Sequence, residues 1–165
     1  MGKYTYWKEM IHEDWIKNGI TDEEPIRWAE EFGIYLARKG DEAKYANGEI
    51  KKRKTKNGEK PITRNPLTTS QLRKFFGEVK RLQLLDYKKA KSDILLLKPK
   101  LAYAVGRAKD EDAKIHDFYE VITDALSYVQ DQKSFENFIN LFEAIVAFHK
   151  AAEDSGLVTD NSLTH

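Results

Sequence analysis

Apolar residues return every three or four positions along most of this chain, a period that predicts helices. The clearest stretch is Leu67 to Leu85, LTTSQLRKFFGEVKRLQLL. Thr68 followed by Gln71 has capping-box spacing, in which the hydroxyl accepts from the third helical N–H and the Gln side chain reaches back to the cap. At about 100° per residue, Leu72, Phe75, Phe76, Val79 and Leu82 fall on one side, and Arg73, Lys74, Lys80, Arg81 and Lys88 on the other. One face requires a core; the other requires water or an anion.

The same reading extends in both directions. Trp7, Ile11 and Trp15 recur at intervals of four, with Tyr4 three residues earlier, and predict a helix over 4–18 that Gly19 ends. Asp22 can cap a second helix, with Glu23, Glu24 and Pro25 in its first turn, where a missing N–H is harmless and negative charge is favoured. Trp28, Phe32, Tyr35 and Leu36 give it a wide apolar stripe. Helical spacing accounts for all three tryptophans, so they read as core or helix-contact residues rather than as a base-stacking platform. The pattern weakens at Gly40 and stops by Asn47-Gly48.

Beyond the central helix, Ser92 or Asp93 could cap the segment DILLLKPKLAYAVGRAK. Pro99 forbids an undisturbed helix there, so either a short turn ends near Lys98 or, as we prefer, a new helix starts with Pro99 in its first turn. Residues 112–130 form a strong amphipathic helix. Ser134 is the expected cap of a last one, in which Phe135, Phe138, Ile139, Phe142, Ile145, Val146 and His149 share a face. No segment shows a strand pattern with a hairpin turn. The expectation is an all-α fold, a compact bundle of five or six helices forming a single helical domain over 1–165, with 47–66 a basic mobile loop and 154–165 a frayed tail.

Composition changes this picture mainly by subtraction. With 165 residues and 41% hydrophobic content, one domain with a real core is expected. There is no cysteine, hence no disulfide framework and no thiolate chemistry. The first twenty residues hold Glu9, Glu13 and Asp14 and lack an uninterrupted apolar core, so they are no signal peptide, and no run reaches membrane-spanning length; a cytoplasmic location and no membrane partner are expected. GxxxxGK[ST], the dinucleotide glycine fingerprint, HExxH and GxSxG are all absent. Asp110-Glu111-Asp112 reads as a solvated helix start rather than a cation site. His149, alone on an apolar face, reads as a hydrogen-bonded core histidine. No catalytic residue, metal or cofactor is expected.

What remains is cation placement, hidden beneath a net charge of +1. Arg73 and Lys80, like Lys74, Arg81 and Lys88, are seven apart, about 10 Å along a helix, a spacing that can follow a phosphate backbone. Lys98, Lys100 and Arg107 fringe the helix that holds Pro99. Only Glu78 and Asp86 interrupt the central face, whereas solubilising faces normally mix both signs. A second run holds Lys51, Lys52, Arg53, Lys54, Lys56, Lys60 and Arg64 against Glu59 alone; either it is simply solvated or it meets a polyanion.

In order, LTTSQLRKFFGEVKRLQ, LLLKPKLAYAVGR and FENFINLFEAIVAFHK resemble the small helical subunit of the type III-A CRISPR-Cas effector, the Csm complex. The likeness covers Leu67 to Lys150, and more loosely the helix containing IRWAEEFGIYLARKG. It implies a non-enzymatic subunit, stacked in several copies beside the guide-holding filament and lining the path of guide-paired target RNA. The partners it implies are guide RNA, target RNA, other Csm subunits and further copies of the chain. Carried onto this sequence, Arg73, Lys74, Lys80, Arg81, Lys98, Lys100 and Arg107 become the RNA-facing residues. Lys51, Lys52, Arg53, Lys54 and Arg64 form an additional set outside the part that matches. Two other readings stay open: a purely structural spacer between protein subunits, and a free-standing helical nucleic-acid-binding protein.

Overall fold

The computed structural model describes residues 6–155. Among them, helices α1 (Glu13–Lys17) and α2 (Glu24–Ala37) precede a hairpin of β1 (Lys52–Thr55) and β2 (Gly58–Pro61). Then follow α3 (Thr69–Gln83), α4 (Tyr87–Leu95), α5 (Leu97–Arg107), α6 (Ile115–Leu126) and α7 (Gln132–Ser155). The fold is mostly helical, as expected, and one connected set of buried apolar residues runs through α1, α2, α3, α4, α5, α6 and α7.

Its spine is α2 lying along the 24-residue α7. Gly33 permits that approach: a Cβ there would stand 2.9 Å from both the Ile145 carbonyl oxygen and Phe148 Cβ. Any side chain would therefore lever the two helices apart. Phe142 on α7 then receives the aromatic face of α3, with ring centroids 5.7 Å from Phe75 and 5.2 Å from Phe76. Phe118 of α6 meets the same ring edge-on at 5.8 Å. Such contacts add about 0.5–1.5 kcal/mol each to the burial of the rings themselves.

Four expectations change. The helix over 4–18 shrinks to Glu13–Lys17, and Tyr4 lies outside the described residues. Tertiary bonds take the groups a helix would use: the N–H groups of Tyr6 and Trp7 donate to Asp117, and the Glu9 carbonyl accepts both the Trp7 and the Trp28 indole N–H. The tryptophans do pack as core, Trp7 and Trp28 meeting edge-on at 6.3 Å. Second, α3 stops at Gln83, so Lys88 belongs to a separate α4 capped by Asp86, and Ser92 and Asp93 lie inside that helix. Third, Asp131 caps α7: its carboxylate accepts the Ser134 N–H while the Ser134 hydroxyl accepts its own N–H. The same helix also runs on at its far end through Asp154 and Ser155, residues of the expected tail, and 156–165 lie outside the described residues.

The fourth change is the hairpin, found where a loop was expected. It carries no apolar alternation, and its base is stitched to residues 41–45 instead: Ala43 N–H donates to Ile62 O, Lys51 N–H to Ala43 O and Ile62 N–H to Lys51 O, each at 2.8 Å. Gly58, at φ 111°, supplies the left-handed step that closes the turn.

Candidate nucleic-acid interface

The capping box forms as its spacing requires, Gln71 N–H donating to the Thr68 hydroxyl at 3.1 Å and Thr68 N–H to the Gln71 side chain at 3.0 Å. The residue before it is held from both sides. Leu67 N–H donates to Leu36 O of α2, and its carbonyl lies 2.7 Å from Nε2 of the buried His149 on α7. Thus α3 enters the bundle from a fixed point, and Leu72, Val79 and Leu82 bury its inner face.

Its outer face carries two rows. Arg73 and Lys80 share one, with Lys80 Nζ 5.9 Å from the Phe76 ring; Lys74 and Arg81 share the other, beside Glu78. Glu78 joins α3 to α5, because its carboxylate accepts from Arg81 Nη2 and from Lys100 Nζ at 2.8 Å each. Those two hydrogen bonds hold its carboxyl down at about 2.

Between the helices lies a groove of about 720 Å³ floored by Leu67, Phe75, Leu101, Ile115 and Phe118. Lys74, Lys100 and Arg107 line it, the Arg107 guanidinium 5.7 Å from the centroid of the exposed Tyr103 ring. Lys98 does not join them. It borders a separate cleft with Lys91, between α4 and α6. Pro99 does stand in the first turn of α5, which puts Lys98 and Lys100 where the helix dipole is already positive. That placement costs a little helix stability and draws anions.

The second run of cations divides sharply. Arg64, expected on the surface, is buried: Nη2 donates to Asp117 at 2.5 Å, Nη1 to the Tyr35 hydroxyl, and Nε to the Asp112 carbonyl at 2.9 Å. Its guanidinium lies 3.9 Å from the Tyr6 ring centroid. Lys51 is buried too, its ammonium 3.1 Å from Asp112 and 3.2 Å from Glu111. Both therefore leave the set of candidate RNA contacts, since a phosphate would have to displace carboxylates already in place. Asp112 is correspondingly no solvated helix start; α6 begins later, at Ile115. Lys52, Arg53 and Lys54 stay exposed on β1.

Sequence reading missed a third buried cation. Lys114 is enclosed, donating to Asp41 at 2.5 Å and to the carbonyls of Tyr35 and Arg38. Burial pushes its ammonium down to about 8 even with Asp41 opposing the shift. The Tyr35 hydroxyl is pushed up by burial and by the neighbouring Asp117. Together these groups clasp α2, the root of the hairpin and the start of α6. Among the described residues no helix is long and apolar enough to cross a membrane.

Fold and cation placement define a class: a small, predominantly helical protein that turns one basic helical face outward. Residues 44–155, more than half of the chain, match the family described as Csm2 Type III-A. The chain belongs to that family, the structural small subunits of the type III-A CRISPR effector, and so to an assembly with other Csm subunits. No curated protein matches it.

Proposed function

We propose that this subunit contacts the phosphate backbone of guide-paired target RNA through the outer faces of α3 and α5, without reading bases and without catalysing a reaction. In doing so it stabilises the effector during antiviral defence in the cytoplasm. Sequence is read by pairing with the guide, so the protein requires only cations held at fixed intervals. The observation that carries the reading is the convergence of Lys74, Lys100 and Arg107 on one groove, with Arg81 tethered to the same edge through Glu78. Arg73 and Lys80 extend that face along α3, and Lys98 stands apart from it. Copies stacked along the assembly would repeat the face at regular intervals beside the duplex.

The test is a salt titration of RNA binding by the full-length chain. Replacing Lys74, Lys100 and Arg107 together by Gln should lower the slope of log affinity against log salt by about two with a single-stranded RNA probe, where each phosphate no longer neutralised accounts for roughly 0.7, and by somewhat more with a duplex. The helical circular-dichroism signal should not change. Wild-type affinity in that variant would refute the assignment.

A second reading, a spacer that binds neighbouring protein subunits, is favoured by the apolar side chains left in solvent: Leu84 is 86% exposed, and Leu95 and Tyr103 69% each. Cross-linking within the assembled complex separates the two, because α3 is captured either by RNA or by protein. Family membership leaves the free-standing nucleic-acid-binding protein without support.

A further inference from the structure

The hairpin has no apolar reason to exist. Every residue of β2 is exposed and β1 is exposed except at Thr55, which is half-buried. A lone two-stranded ribbon is marginal in water. This one is held by its roots, with Lys51 locked into Asp112 on the segment leading into α6 and Arg64 into Asp117 on α6 itself, so its position on the bundle is fixed while its surface stays open.

The register sorts its charges by face. Lys54 opposes Glu59, a complementary pair, and Lys52 opposes Pro61 on that same side. On the other side Arg53 directly opposes Lys60. Like charges facing across a ladder are destabilising, and among the described residues no carboxylate lies within ion-pair distance of either. Five cations stand against one carboxylate between Lys52 and Pro61. A fold that keeps two cations opposed on an anchored ribbon holds a site whose charge is completed from outside.

We propose that the Arg53–Lys60 face of this hairpin is a second RNA-backbone contact, separate from the α3–α5 face, with the two cations bracketing phosphates of one strand. The ligand is a polyanion, because spaced cations without an apolar anchor reward repeated charge rather than shape. The inference rests on the reading of RNA as partner, and the experiment keeps the two apart.

Lys60→Glu is the informative change, since it converts the opposed pair with Arg53 into a complementary one. In the full-length protein it should leave the thermal midpoint unchanged or raise it by about a degree or two. In the same variant, affinity for a labelled single-stranded RNA should fall about tenfold at low salt. Wild-type affinity in Lys60→Glu overturns the proposal. If Lys60→Glu fails to fold, Lys60→Gln decides: a several-fold loss of affinity supports the contact and none refutes it. Loss of binding on replacing Lys74, Lys100 and Arg107, with none at Lys60, removes the hairpin site and leaves the helical face standing; the reverse result removes the helical face alone. A wild-type chain that binds no RNA overturns both. Full RNA affinity with weakened assembly of the effector would assign the hairpin to an acidic protein surface, against this proposal.

Discussion

Arg64 and Arg53 stand eleven positions apart in one cation-rich stretch, at opposite ends of a scale. Arg64 is 3% exposed and meets Asp117, the Tyr35 hydroxyl and a backbone carbonyl. Arg53 stands in solvent opposite another cation. The difference lies in what the rest of the chain brings to each. Asp112 and Asp117 arrive from 48 and 53 positions away to engage the first, and among the described residues no carboxylate arrives for the second. A run of like charges is thus two structures: an inward clasp at its ends and an outward ribbon in its middle.

Substitutions can break that contrast, starting with the clasp. Asp117→Ala strands a buried guanidinium and should cost about 3–5 kcal/mol in a denaturant titration. The double change Asp117→Leu with Arg64→Met should cost distinctly less than the sum of its parts, because it removes both charges and leaves neither stranded. Equal and additive losses would show that the pair is not coupled.

A smaller effect concerns pH. The Lys114 ammonium has its pKa lowered to about 8 by burial. Between there and the ordinary lysine value, the unfolded chain holds a proton that the folded one has released. This residue's contribution to stability is therefore full above the ordinary value and is lost as pH falls through about 8. Unfolding free energy of the wild type should gain on that of Lys114→Met as pH rises through this window. A constant gap would exclude the linkage.

The smallest effect belongs to the outward side. Glu78→Gln releases Arg81 and Lys100 from a half-buried carboxylate on the surface and should change stability by less than about 1 kcal/mol. RNA affinity should rise a few-fold once the competing anion is gone, a change that binding isotherms at low salt would register. The carboxyl of Glu78 is depressed to about 2, so its stabilising contribution is present above the ordinary carboxylate range. Any stability deficit of the variant near pH 6 should disappear as the wild type is titrated down through that value.

Legibility followed the range of the interactions. The capping box of α3, Pro99 in the first turn of α5, and the long apolar faces of α6 and α7 could be read because their determinants lie within a few residues. Helix α4 was missed: only Ala90 and Ile94 are buried on it, too few to reveal a period. The expected N-terminal helix failed because Asp117 and two indoles satisfy its backbone from far away. Asn57-Gly58 was the local hint of a hairpin, masked by strands with no apolar alternation. The candidate cations were visible as a list, whereas their sorting into Lys74, Lys100 and Arg107 on one groove and Lys98 on another cleft depended on how α4, α5 and α6 pack. No spacing rule could show that Lys51 and Arg64 face inward, since their partners lie near position 112.

The hydrogen bond from Tyr6 to Asp117 spans 111 positions, and the one from Tyr35 to the same carboxylate spans 82. Closing such loops is entropically costly before their contacts repay it. Loop length therefore predicts that the clasp closes late in folding, after the helices associate, with the chain's beginning drawn in once α6 is seated. A joint that closes last leaves the folding rate largely untouched and acts as a brake on unfolding, so a weakened Asp117 would show itself first as a shorter lifetime of the native state.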